Sequence, residues 1–120
     1  QVGRFSEEAA RFYVANVIVA LEHLHSKNIL YSDLKAENVL IADDGYAKLA
    51  DFGLSRENVT GDSDIEALAG TAEYIAPEAL TFQGYGKATD WWSLGVLVYE
   101  LLCAQQPFQG TSKQNMFDAI

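Results

Sequence analysis

The stretch "YSDLKAENVL" (31–40) places a carboxylate, an ammonium group and an amide just ahead of an apolar strand, "VLIA" (39–42). The turn residues "DDG" (43–45) separate this strand from a second one, "YAKLA" (46–50), which leads into "DFG" (51–53). Two short apolar runs on either side of an Asp-Gly turn predict a β-hairpin. We therefore expect the two ends of the hairpin to lie side by side, so that the polar residues at both ends face one point.

The polar side chains at the two ends of this hairpin suit phosphoryl transfer. Asn38 and one of the two carboxylates, Asp33 or Asp51, offer an amide oxygen and a carboxylate oxygen, which Mg²⁺ accepts as ligands while it keeps positions for phosphate oxygens and water. The second carboxylate can accept the proton of an attacking hydroxyl, and Lys35 can neutralise a migrating phosphoryl group. Positioning and charge stabilisation of this kind are what phosphoryl transfer requires.

Composition and charge limit the partners and the compartment. The 120 residues, of which 49% are apolar, suit one domain or part of one. The net charge of −9 argues against nucleic acid and anionic membrane and permits a basic peptide as partner, although a solvated acidic surface explains it equally well. A single cysteine, Cys103, excludes an internal disulfide and agrees with a reducing compartment. We expect a cytoplasmic location, with the nucleus as an alternative.

Helical periodicity is present in two long segments. Residues 5–28 have Ser6 at a capping position, two glutamates in the first turn and apolar residues at helical spacing. Residues 87–102 are apolar on nearly every side, which predicts a buried central helix, and a third helix is expected over 111–120. No segment has the roughly 20 uninterrupted apolar residues that span a bilayer, so no membrane segment is expected.

The part between the long helices, residues 51–86, is rich in Gly, Ser, Thr and Asp and is expected to be irregular. A structureless stretch as long as 54–72 is usually functional in a compact domain. His23 and His25 are expected to be surface or packing residues, because no other Cys or His lies at ligand spacing. Four aromatic residues of the helices are expected in the core, namely Phe12, Tyr13, Trp91 and Trp92.

Four segments, in order along the chain, resemble those of eukaryotic protein kinases. They are "YSDLKAENVL", "DFG", "GTAEYIAPE" (70–78) and "DWWSLGVLVYELL" (90–102). They resemble the catalytic loop, the metal-binding motif, the end of the activation segment and the central helix of the large lobe. The last two are most similar to the AGC group of Ser/Thr kinases. The resemblance implies an α+β fold, in which a mainly helical large lobe carries a small β-hairpin with the catalytic and metal-binding loops.

The resemblance also implies an activity, namely ATP- and Mg²⁺-dependent phosphoryl transfer to Ser or Thr hydroxyls of protein substrates. Residues 1–120 would then be a partial kinase domain, with the small lobe before residue 1 and further helices after Ile120. We do not expect the 120 residues alone to turn over ATP. A catalytically weak pseudokinase or an interaction module is the alternative, although the residues that the chemistry needs are all present.

The resemblance assigns catalytic roles to residues of this sequence. Asp33 would orient or deprotonate the acceptor hydroxyl. Lys35 would contact the transferring phosphate, and a lysine there is typical of Ser/Thr rather than Tyr specificity. Thr71 would hydrogen-bond near Asp33 and Lys35. Asn38 and Asp51 would hold Mg²⁺.

Further implied roles concern the nucleotide, the backbone and the substrate. Leu40 would pack beneath the adenine, and Asp90 would hold the catalytic-loop backbone from the central helix. Glu37 and Glu100 would attract substrate arginines ahead of the acceptor, or else are ordinary exposed carboxylates. The pocket for the substrate residue after the acceptor would be lined by Leu68, Ala72 and Ile75.

The sequence departs from the kinase pattern at three positions of the matched region. Ala36 replaces a proline in the catalytic loop, a change of small expected effect. Ser32 stands where the family has an arginine that binds a phosphate on the activation segment, and Ala67 stands where the AGC group has the phosphorylated threonine. Because the cation and the phosphate acceptor are both missing, we expect activation without that phosphorylation.

Overall fold

A computed structural model of the chain describes residues 3–61, 70–81 and 84–120, and its elements alternate helices with one small sheet. The α+β class implied by the sequence is confirmed. Single 3-10 turns at Ala36–Asn38 and Ala72–Tyr74 lie next to the polar residues of interest. The helices and strands are α1 (Glu7–Ser26), β1 (Val39–Ile41), β2 (Ala47–Leu49), α2 (Pro77–Leu80), α3 (Ala88–Cys103) and α4 (Lys113–Ala119).

Helix α1 begins where the sequence predicts. The Ser6 side chain accepts a hydrogen bond of 3.1 Å from the Ala9 amide, which satisfies one of the amides that the first turn leaves unpaired. Its inner face is buried through Val17 and Leu21. The expectation that Phe12 is a core residue is wrong, because its side chain is 44% exposed and packs beside Tyr46 of the hairpin turn, with ring centroids 5.6 Å apart.

The hairpin is antiparallel, with Val39 opposite Leu49 and Ile41 opposite Ala47. Gly45 supplies the left-handed conformation that the turn needs, with φ of 87°. Helix α1 holds the second strand, because the Asn16 side-chain oxygen accepts a 3.0 Å hydrogen bond from the Ala47 amide. The hairpin is thus fixed on α1, and both of its ends lie at the loops that carry the polar residues.

Helices α1 and α3 pack together around the main core. Burial of each large apolar side chain in this core contributes roughly 1.5–3 kcal/mol relative to leaving it exposed. Trp91 of α3 is 40% exposed even though its ring packs edge to face on His25 of α1, so the expectation that it is a core residue is wrong. The main core consists of Val17, Leu21, Tyr31, Leu34, Tyr74, Leu94, Val96 and Leu97.

The segment expected to be irregular contains the short helix α2. Pro77 occupies its first turn, where a missing amide hydrogen costs nothing and the fixed φ suits a helix. Four residues are too few to show an apolar period in the sequence. Across the described ranges, no helix combines the length and the apolar character that a membrane span requires.

Candidate active site

Asp90 of α3 fixes the backbone of the catalytic loop through hydrogen bonds. This carboxylate is 1% exposed and accepts hydrogen bonds from the Tyr31 amide at 2.9 Å and the Ser32 amide at 3.0 Å. The His25 ring nitrogen Nε2 donates a third, at 2.8 Å. A buried charge is tolerated when it is paired and hydrogen-bonded in this way. Asp90 therefore holds the residues directly before Asp33, as the resemblance implies.

His25 is more than the surface or packing residue that the sequence suggested. Its side chain is largely buried against α3, where it meets Trp91 edge to face with ring centroids 5.3 Å apart. The partner of its ring nitrogen, Asp90, lies 65 positions further along the chain. No local spacing signal could reveal such a pair, so sequence reasoning missed its part in the site.

Four polar side chains meet at the start of the hairpin, with Asp33 at their centre. The Asp33 carboxylate is nearly buried and accepts from the Asn38 amide nitrogen at 3.1 Å and from the Thr71 hydroxyl at 3.1 Å. The Lys35 ammonium donates to the Thr71 hydroxyl oxygen at 3.0 Å and lies 3.7 Å from the second Asp33 oxygen. Thr71 thus links the carboxylate of Asp33 to the ammonium group of Lys35.

Asn38 and Asp51 are joined through the backbone, because the Ala50 amide donates to the Asn38 carbonyl oxygen at 2.9 Å. The Asn38 amide nitrogen donates to the carbonyl oxygen and the carboxylate of Asp33, so Oδ1 is the side-chain atom of Asn38 that can coordinate a cation. Asp51 has φ of 56° and uses one carboxylate oxygen to accept from the Gly53 amide at 3.1 Å. One amide oxygen and one carboxylate oxygen remain, a donor set that fits Mg²⁺.

No group of three or more His, Cys, Asp or Glu side chains able to hold a metal ion occurs in the described part of the chain. The candidate site is an amide–carboxylate pair, Asn38 and Asp51, and Mg²⁺ is commonly bound through few protein ligands plus phosphate oxygens.

Tyr31 connects the catalytic loop to the "DFG" segment, a role that the sequence did not indicate. Its hydroxyl donates to the Ala50 carbonyl oxygen, and its ring packs edge to face on Phe52 with centroids 5.2 Å apart. Burial raises the pKa of the Tyr31 hydroxyl well above its usual range, and nearby carboxylates, Asp33 first, raise it further. The phenol therefore stays protonated and remains a donor at neutral pH.

The residues implied to bind nucleotide and substrate differ in how exposed their side chains are. Leu40 is 53% exposed on β1 and is free to contact a ligand, and Glu37 is exposed beside it. Ala72 is half-buried, whereas Ile75 is buried in a second apolar cluster with Leu30 and Val59, so Ile75 offers little surface to a substrate. Leu68 lies outside the described residues.

Glu100 is held by a residue of the segment that follows Thr71. The Tyr74 hydroxyl donates to the Glu100 carboxylate and accepts a long hydrogen bond, 3.4 Å, from the Ala36 amide. Burial raises the pKa of Tyr74 and the bond to Glu100 raises it further, so the phenol keeps its proton. Ser93 of α3 donates to the Tyr74 carbonyl oxygen at 2.8 Å, which fixes the same segment.

Two of the three departures from the kinase pattern, Ser32 and Ala67, concern the phosphate on the activation segment, and of these two the structure describes only Ser32. Ser32 has a left-handed backbone with φ of 74°, and its hydroxyl is buried with no hydrogen-bond partner in the described part of the chain. Arg56 lies near it in the fold, because its backbone exchanges two 2.9 Å hydrogen bonds with Leu30. Ala67 lies outside the described residues.

A carboxylate that can act as a base, an ammonium group and a metal-binding pair, held by a hairpin on a helical frame, are the parts of a phosphotransferase site. The chain belongs to the protein kinase domain family, which it matches over residues 1–120. It is 45% identical over 116 residues to RAC-beta serine/threonine-protein kinase B of Xenopus laevis. It is 44% identical over the same length to RAC-beta serine/threonine-protein kinase of Homo sapiens.

Each of these matches covers 97% of this chain and 24% of the relative, so the chain spans about a quarter of the length of the curated relatives it matches. The resemblance to protein kinases, and within them to the AGC group, is confirmed.

Proposed function

We propose that this chain, as part of a complete kinase domain, provides the catalytic residues for transfer of the terminal phosphoryl group of ATP to Ser or Thr hydroxyls of proteins. The observation that carries the proposal is the contact of Asp33, Lys35 and Thr71, with Asn38 bonded to the same carboxylate. A nearly buried carboxylate with both oxygens oriented is suited to receive the proton of a hydroxyl. No observation on the described residues favours the scaffold alternative.

The side chains divide the reaction among them. Asp33 orients the acceptor hydroxyl and accepts its proton, while Thr71 and Asn38 hold the carboxylate in one rotamer. Lys35, fixed by Thr71, stabilises the negative charge that develops on the transferring group. Asn38 and Asp51 would hold Mg²⁺, which when bound neutralises phosphate charge. Most of the rate enhancement then comes from positioning and electrostatics.

Phosphoryl transfer by the complete protein tests this proposal directly. With labelled ATP, Mg²⁺ and a mixture of Ser, Thr and Tyr peptides, we expect label on Ser and Thr. Asp33→Asn should lower kcat at least ~10²-fold, because the amide cannot accept the proton. Asp43→Asn, at an exposed carboxylate of the hairpin turn, should leave kcat unchanged. Equal activity of the Asp33→Asn variant, or a preference for Tyr, contradicts the proposal.

We also propose that the substrates carry basic residues ahead of the acceptor. Glu37 is exposed next to the catalytic loop, Glu100 presents a carboxylate held by Tyr74, and the net charge is −9. A single exposed ion pair contributes only about 0–1 kcal/mol, so several must act together.

We also propose a cytoplasmic location. The free and exposed Cys103 supports it, because a reducing compartment keeps such a thiol unpaired.

A peptide array read out as kcat/KM tests the basic preference. Peptides with arginines before the Ser should be preferred over acidic ones, and Glu37→Gln should reduce that preference while leaving an arginine-free peptide unaffected. The matched variant Glu57→Gln, an exposed carboxylate of the segment after "DFG", should change neither. Equal or better phosphorylation of acidic peptides would rule the preference out.

A further inference from the structure

The segment that carries Thr71 crosses the catalytic loop at a very close backbone approach. Gly70 has φ of 107°, and a Cβ atom there would lie 2.9 Å from the carbonyl oxygen of Ser32. Cβ atoms in proteins essentially never approach another heavy atom so closely, and the atom they would meet here belongs to the backbone. Any side chain at this position therefore meets both an unfavourable φ and a steric clash.

Ser32 cannot easily move away from such a clash. Its amide donates to the buried Asp90 carboxylate at 3.0 Å, and that carboxylate is itself held by His25 at 2.8 Å. Its own backbone is left-handed, with φ of 74°. Interiors of this kind are close-packed and transmit displacement rather than absorb it. The segment containing Gly70 is consequently the part that must shift.

Thr71, the next residue, makes the contact on which the site depends. Its hydroxyl donates to Asp33 at 3.1 Å, already long for a bond between two oxygens, and accepts from Lys35 at 3.0 Å. A retreat of about 0.5 Å, the shift that an ordinary Cβ contact needs, would lengthen the bond to Asp33 to about 3.6 Å, beyond hydrogen-bonding distance. It would leave Lys35 and Asp33 with only their 3.7 Å ion pair.

We propose that Gly70 is a positioning residue for phosphoryl transfer. The packing of its Cα against the Ser32 carbonyl oxygen sets the distance at which the Thr71 hydroxyl links Asp33 to Lys35. The inference rests on the proposed function, since it concerns the orientation of Asp33 and Lys35, to which that function assigns the proton transfer and the charge stabilisation. It adds a requirement that side-chain chemistry alone does not reveal: the residue before Thr71 must lack a side chain.

Gly70→Ala in the complete protein tests the inference, with Gly45→Ala as the matched control. Gly45 also has a positive φ, 87°, but a Cβ there meets nothing within 4 Å. Both variants should lower Tm through backbone strain. Only Gly70→Ala should lower kcat, by ~10- to 100-fold, with the KM for ATP within about twofold of the parent value. A kcat of Gly70→Ala equal to that of Gly45→Ala would overturn the inference.

A double-mutant cycle with Thr71→Ala separates positioning from a general structural effect. If Gly70 acts through Thr71, Gly70→Ala should lower single-turnover rates at least ~10-fold in the parent protein and less than about threefold in the Thr71→Ala background. Equal losses in both backgrounds would overturn the inference. Full activity of Gly70→Ala would overturn it without touching the proposed function, whereas absence of transfer in the parent protein would overturn both.

Discussion

At the scale of single residues, two carboxylates near the candidate site have different roles: Asp90 stabilises the fold, whereas Asp51 is exposed to ligands. Asp90 is buried and accepts three hydrogen bonds, so it is fully used inside the protein. Asp51 is exposed and accepts one hydrogen bond from Gly53, two residues away. Removing the charge of Asp90 would leave backbone amides unpaired, whereas Asp51 contributes little to packing. The two carboxylates should respond differently to the same substitution.

Asp51→Asn should therefore abolish phosphoryl transfer in the complete protein and leave its stability nearly unchanged. The amide keeps the size and an acceptor oxygen, so the free energy of unfolding should change by no more than about 0.5 kcal/mol, as for other exposed positions. The charge that would bind Mg²⁺ is lost. Thermal unfolding and a kinase assay at saturating Mg²⁺ check both parts, and near-normal turnover would refute the assignment of Asp51 as a metal ligand.

At the scale of elements, the hairpin and the long helices could be predicted because their signals are local. Ser6 caps α1 where the sequence indicates, and the "DDG" turn closes the hairpin. The contacts between elements could not be predicted in this way. The His25–Asp90 pair joins residues 65 positions apart, and the Gly70–Ser32 approach is a property of the packed backbone.

The wrong assignments of Phe12 and Trp91 have a related cause. An apolar side chain on a helix shows that burial would be favourable, but it does not show which neighbouring element covers it. Candidate site residues were easier to identify, because Asp33, Lys35 and Asn38 lie within one short stretch of sequence. Tyr31 was missed although it lies in that stretch, since its partners are the Ala50 carbonyl and the Phe52 ring across the hairpin.

The two buried phenols that join these elements should make the folded state sensitive to alkaline pH. Burial raises the pKa of both Tyr31 and Tyr74 above the usual value of about 10. The folded state then keeps protons that the unfolded state releases above about pH 10. Stability from this source is fully present below that pH and falls as the pH rises towards the folded-state pKa values.

Denaturant unfolding of the complete protein between pH 8 and pH 11 measures this effect. The free energy of unfolding should begin to fall above about pH 10, and Tyr31→Phe combined with Tyr74→Phe should make that fall shallower. Tyr46→Phe, in the exposed hairpin turn, is the control and should leave the slope as it is in the parent protein. An unchanged slope in the double variant would contradict the linkage.

At the scale of the whole molecule, the departure from the kinase pattern at Ser32 bears on how the site is kept ordered. Ser32 replaces the arginine, so position 32 itself offers no guanidinium to a phosphate, and the Ser32 hydroxyl is buried without a partner in the described ranges. A charged bidentate partner is what lets a phosphate order a loop. The described contacts order the site in another way. Asp90 of α3 binds the Ser32 amide, and in the segment after Gly70 the Thr71 hydroxyl binds Asp33 and the Tyr74 hydroxyl binds Glu100.

The complete protein, made in bacteria and treated with phosphatase, should therefore keep most of its activity. Arg56, just after "DFG", is a cation near Ser32 in the fold, and Glu66 supplies a permanent negative charge next to Ala67 in the sequence. A surface ion pair is generally worth about 0–1 kcal/mol, so Glu66→Lys should lower activity by no more than about fivefold. Glu57→Lys, an exposed site with the same charge change, is the control. Phosphatase treatment that abolishes activity, followed by recovery when another kinase modifies a site within residues 54–72, would show that a phosphate is required after all.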